Sequence, residues 1–140
     1  MATIHMAFVL ASMNNLDVCA ADISTAYLYA RTRETVYVIA GKEFCKDVGK
    51  RMIIDGGLYG LKTSAAHFHK HLALRLRRMG FKPCYVDFDL WMRLAPSGDH
   101  FEYVITYVDD VLAFSRDSMS IIKDIQKDYM LKGLANQNTF

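Results

Sequence analysis

The sequence predicts an α+β domain: an antiparallel sheet with helices packed on one face. Apolar residues recur at helical spacing in three segments. Between them lie short apolar runs of strand length, and two of these runs are joined by turn chemistry. With 140 residues, 52% of them hydrophobic, the chain can bury one substantial core. No repeat, low-complexity tract or linker-like shift divides it, so residues 1–140 read as a single domain, with 134–140 as a frayed C-terminal tail.

Ile4 to Met13 carries apolar residues at helical spacing and stops at Asn14-Asn15, which predicts a first helix lying under the sheet. Leu16 to Ala21 has no Gly or Pro and suits a buried strand that delivers Asp22 at its end. Ser24 to Ala30 reads as a turn or short helix. Val36 to Ile39 and Met52 to Ile54 read as strands, separated by a loop over Gly41 to Lys50.

From Ser64 to Gly80, Phe68, Leu72, Leu76 and Met79 recur at steps of four, four and three, and Gly80 and Pro83 close the pattern. Phe88 to Leu94 and Phe101 to Tyr107 flank Pro96-Ser97-Gly98 and predict a hairpin. Tyr103 to Phe114 is apolar on both sides of Asp109-Asp110, as in two buried strands joined by a tight turn. Ser118 to Met130 completes the pattern as a helix with Ile121, Ile122, Ile125 and Tyr129 inward.

Composition narrows the function classes. Lys and Arg number 17 against 15 Asp and Glu, so net charge alone does not mark a nucleic-acid binder. Cys19, Cys45 and Cys84 are widely spaced, fit neither a zinc ribbon nor a disulfide framework, and are expected as reduced thiols. No run approaches the roughly 20 apolar residues of a membrane span, and the start lacks signal-peptide features. The expectation is a soluble intracellular protein with no membrane partner.

Asp109-Asp110 is the sharpest chemical feature. Two neighbouring carboxylates in an apolar hairpin repel unless a cation compensates them, and hard ions such as Mg²⁺ take carboxylate and phosphate oxygens. A third acid would complete a two-metal site: Asp22 ends a predicted buried strand, and Asp17 is its rival five residues earlier. As residue types alone, Asp109-Asp110 also suit an ordinary exposed turn, and Asp22 a helix N-cap before Ser24.

Three blocks then stand in order: Asp22-Ile23-Ser24-Thr25-Ala26-Tyr27-Leu28, Leu58-Tyr59-Gly60-Leu61-Lys62 and Tyr107-Val108-Asp109-Asp110. In order and spacing they resemble the signature blocks of copia-type retrotransposon reverse transcriptases, over about Phe8 to Gly133. The resemblance implies a polymerase palm-like sheet and RNA-directed DNA polymerisation. Asp22, Asp109 and Asp110 would be catalytic and hold two Mg²⁺ ions, for which Mn²⁺ can substitute, and the Ile23 backbone carbonyl would add a ligand.

The resemblance further implies dNTP binding at Tyr27, which would discriminate against a ribose 2′-hydroxyl, and at Gly60. Lys62, Lys70 and Tyr107 would meet the primer and its RNA or DNA template. Core packing for Tyr27 and a solvated helix start for Lys62 are the ordinary alternatives. Lys70, Arg75, Arg77, Arg78 and Lys82 stand in a stretch without acids, Thr63 to Val86, which suits either a primer–template contact or a basic outer face serving solubility. His67, His69 and His71 suggest a metal, but only His67 and His71 share a helix face.

The blocks also depart from the family pattern. Thr63, Ala65, Ala66 and Phe68 stand where many relatives have Gln, Pro, Arg and Trp, and Ala40-Gly41-Lys42-Glu43-Phe44 replaces Pro-Pro-Gly-Phe. The expected piece is a palm with incomplete fingers and no thumb, its partners being the rest of a pol polyprotein: fingers, thumb and ribonuclease H. A mobile element would place it in a cytoplasmic virus-like particle. Two alternatives remain: an inactive remnant that binds nucleic acid weakly, and a hydrolytic Mg²⁺ enzyme, for which the Tyr-Gly-Leu-Lys block has no use.

Overall fold

Helix α1 (Ala2–Met13) ends on Asn15, whose φ of 52° is the left-handed conformation that asparagine tolerates. The Leu16 N–H then donates to the Ala11 carbonyl at 2.9 Å, closing the cap and turning the chain directly into a strand. The computed structural model describes residues 2–57 and 63–136. These fall into two compact units, Met1–Ser24 with Leu72–Phe140, and Thr25–His71.

The first unit is built on a sheet of strands β1 (Asp17–Ile23), β4 (Lys82–Pro83), β5 (Leu90–Leu94), β6 (Phe101–Tyr107), β7 (Asp110–Ser115) and β8 (Leu131–Asn136). Their order is β4-β5-β6-β7-β1-β8, and all neighbours are antiparallel. The expected β5–β6 and β6–β7 hairpins are both present. Strand β8 was not expected: it extends to Asn136, into the stretch read as tail, and residues 137–140 lie outside the described ones.

Cross-strand partners share a face, so the register shows what each face does. One row holds Val18, Phe114 and Tyr103, and the next Ala20, Leu112 and Ile105. Helix α1 covers these rows with Ala7 and Ala11, and Phe8 meets the Phe114 ring edge-on at 5.4 Å. The alternate residues Cys19, Ala21, Ile23, Val111 and Ala113 are all buried. Helix α3 (Ser118–Gln126) packs against β1 and β7 through Ile121, Ile122 and Ile125, with Asp117 capping its first turn at Ser120 N–H. Helices thus lie on both faces, not on one as the sequence suggested, because each face of β1 and β7 is apolar over most of its length.

A buried ion pair fixes the β5–β6–β7 part of the sheet. Glu102, 5% exposed, accepts from Arg93 Nε at 2.6 Å and from Ser115 Oγ at 2.6 Å. Arg93 also donates to the Met79 carbonyl and stacks over the Phe81 ring at 4.4 Å, so the charges are compensated on every side.

The second unit carries a 3₁₀ turn at Ala26–Tyr29, then β2 (Arg31–Ile39) paired antiparallel with β3 (Arg51–Gly56). Between these strands the expected loop holds a short 3₁₀ helix, Lys42–Asp47. Gly57 passes so close to the 3₁₀ turn that a Cβ on it would lie 2.6 Å from the Tyr27 carbonyl oxygen. Helix α2 (Ser64–Arg78) begins in this unit and continues into the first; Phe68, Leu72 and Leu76 are buried as the spacing predicted, and Gly80 follows with φ of 88°.

Candidate active site

At one end of the sheet the two apolar rows give way to a polar one. Across β8, β1, β7 and β6 the register pairs Lys132 with Asp22, Asp22 with Asp110, and Asp110 with Tyr107. The four side chains therefore line one face, with directly opposed Cβ atoms about 4.5–5.5 Å apart. Asp17 sits at the other end of β1, opposite Ser115 and about 16 Å away along the strand, so it is not brought to the site.

The β6–β7 hairpin turns on Val108 and Asp109 alone. Val108 has φ of 54°, a conformation that costs a β-branched residue of order 1–3 kcal/mol and is held by the paired strands on either side. Asp109 is half-buried, and its carbonyl accepts the Ile23 N–H at 2.8 Å. That bond ties the end of β1 to the turn, so Asp22, Ile23, Asp109 and Asp110 form one rigid corner. The Ile23 side chain is fully buried beneath it.

The electrostatics of this corner are unbalanced. Loss of solvation, then the charges of Asp109 and Asp22, raise the Asp110 carboxyl above the ordinary aspartate range, while Lys132 pulls it down. Among the described residues Asp22 Oδ1, which is buried, meets no well-aligned hydrogen-bond donor, and Lys132 Nζ lies 3.2 Å from it on a side chain 65% exposed. Opposed carboxylates with a third beside them, met by an exposed ammonium, suit a hard divalent ion. Among the described residues no three His, Cys, Asp or Glu side chains converge on one point. Any metal shell built here would therefore need oxygens beyond these side chains, such as those of a phosphate.

The remaining candidates are placed as follows. Tyr27 stands half-buried on the 3₁₀ turn, its ring edge-on to Phe68 at 6.4 Å. Tyr107 ends the polar row and is 69% exposed. Lys70 lies exposed on α2. Gly60 and Lys62 lie outside the described residues. Of the basic stretch, Arg75 is engaged by Asp128 and the Asp124 carbonyl, and Arg77 lies over the Trp91 ring at 5.4 Å, so two of its charges serve the fold. His69 and His71 are exposed, His67 is half-buried, and they join no metal group among the described residues.

The model of the family described as reverse transcriptase (RNA-dependent DNA polymerase) matches residues 1–140. The chain belongs to the copia-type reverse transcriptase family. A putative transposon Ty5-1 protein of Saccharomyces cerevisiae is 26% identical over 124 residues, covering 85% of this chain and 40% of that protein. The retrovirus-related Pol polyprotein from transposon TNT 1-94 of Nicotiana tabacum is 26% identical over 139 residues, covering 96% of this chain and 10% of the polyprotein. The reverse transcriptase chain thus spans well under half of either relative.

Lys132 is the site residue that sequence reasoning missed. Its segment falls between the expected helix ending at Met130 and the expected tail from residue 134, and the signal that places the lysine is a register shift rather than a motif.

Proposed function

We propose that this chain carries the nucleotidyl-transfer centre of an RNA-directed DNA polymerase, which extends a primer 3′-hydroxyl with dNTPs on an RNA or DNA template. The observation that supports it most directly is the opposed pair Asp22–Asp110, locked beside Asp109 in a chain of this family. Asp22, Asp109 and Asp110 would hold Mg²⁺ or Mn²⁺, with the Ile23 carbonyl as a further donor. Bound there, a pair of such ions would supply activation of the 3′-hydroxyl and neutralisation of charge on the triphosphate and the leaving pyrophosphate.

What the chain's own residues contribute is placement. The Ile23–Asp109 hydrogen bond and the antiparallel register hold the carboxylates in fixed positions, so little reorganisation accompanies reaction, and no side-chain nucleophile takes part. Tyr27, whose ring meets Phe68 edge-on, would test the sugar of an incoming nucleotide. Tyr107 and Lys70 expose groups that can meet a nucleic-acid backbone, and Gly60 and Lys62 would join them. The working assembly includes the remaining pol domains, in a cytoplasmic virus-like particle.

Primer extension tests this reading in the chain expressed together with the other segments of a pol polyprotein. Asp22→Asn and Asp110→Asn should each abolish Mg²⁺-dependent incorporation, and incorporation retained by either would sink it. A wild-type chain that binds template but incorporates nothing would leave the inert remnant instead.

A further inference from the structure

Strand β8 pairs with β1 through a deliberate irregularity. Ala20 faces Ala135, and uninterrupted pairing would then set Gly133 opposite Asp22. One extra residue on β8 shifts the register so that Lys132 faces Asp22 instead. Gly133, with φ of 61°, supplies the left-handed conformation such a bulge needs. The bulge re-aims a cation: Lys132 Nζ comes to 3.2 Å from Asp22 Oδ1, the oxygen that meets no well-aligned donor among the described residues, and its charge also acts on Asp110. No packing reason accounts for a lysine there, since its side chain is 65% exposed.

We propose that Lys132 is a built-in counter-cation of the Asp22–Asp110 pair, which a divalent ion must displace, so that Lys132 sets the metal affinity of the site. This rests on the metal-binding role given to those carboxylates above. With no metal bound, the ammonium offsets the repulsion that two opposed carboxylates would otherwise carry into the folded state. An ion at this oxygen would push the exposed lysine outward, because two cations held so close repel one another. Lys132 is thus a positioning residue, acting through Asp22 and not on the reacting atoms.

Mn²⁺ binding to the full chain, followed by the loss of the free-ion paramagnetic resonance signal, tests this together with thermal unfolding in EDTA. Lys132→Gln should bind Mn²⁺ about 3- to 10-fold more tightly, the range expected for removing one solvent-screened competitor, yet unfold at a lower temperature in EDTA. Lys132→Arg should restore both values. A role in packing alone would lower the unfolding temperature without raising affinity, and would overturn the proposal. Unchanged or weaker Mn²⁺ binding by Lys132→Gln would overturn it too, while Asp22→Asn that still removes Mn²⁺ binding would keep the carboxylates as metal ligands. If Asp22→Asn left Mn²⁺ binding unchanged, the metal-binding reading would fail as well, and the two failures are thereby told apart.

Discussion

Asp22 and Asp110 face one another as directly opposed residues on the central strands β1 and β7. Two like charges at that separation work against folding, so the same pair that serves chemistry should weaken the metal-free protein. Asp110→Asn is therefore expected to raise the unfolding temperature in EDTA by about 1–2 °C, the effect of a few tenths of a kcal/mol. It should also lower primer extension by at least on the order of 10²-fold. Calorimetry and a gel assay on one preparation check both signs.

Asp17→Asn is the matching control. Residue 17 lies at the far end of β1, opposite Ser115, and is exposed. Extension by this variant should stay within about twofold of wild type, with stability changed by less than about 0.5 kcal/mol.

Val108 offers a gain in stability. Asn tolerates a positive φ where a β-branched residue does not, so Val108→Asn should stabilise the hairpin by about 0.5–1 kcal/mol. A urea midpoint that moved downward would show that the valine side chain contributes more than its backbone conformation costs.

Glu102 tests the opposite case. Glu102→Ala strips Arg93 of its buried partner and should cost about 3–5 kcal/mol, since a compensated charge becomes an uncompensated one. The midpoint of urea unfolding reads this directly.

Thiol labelling separates Cys19 from Cys45. Burial raises the Cys19 thiol above its ordinary range, so at neutral pH Cys45, which is exposed, should react with iodoacetamide and Cys19 should not until the chain unfolds. Because the folded state holds the Cys19 proton more tightly, its contribution to stability is intact below the ordinary thiol range and declines as pH rises beyond it.

Much of this was legible in the sequence where periodicity and burial agree. The α2 spacing, the paired hairpins and the inward Ile121, Ile122 and Ile125 follow from patterns strong enough to survive folding. The acid corner was legible because carboxylates in an apolar run are conspicuous. Strand β8 was not, since Leu131-Lys132-Gly133-Leu134 has little strand propensity and takes its extended form by pairing with β1. Tyr129 is buried as expected although α3 stops at Gln126, because its N–H still donates to the Ile125 carbonyl and keeps the residue in helical phase. The choice between Asp22 and Asp17 came from the block order and is visible physically only in the register.

The position of β8 has a consequence for fluctuation. Among the described residues it is an edge strand paired only with β1, and such segments detach at a lower free energy than the strands inside a sheet. Transient peeling of β8 would carry Lys132 away while β1, β6 and β7 stay paired. The charge balance of the acid corner is thus tied to a sub-global opening, one that amide hydrogen exchange along β8 would register well before the core strands exchange.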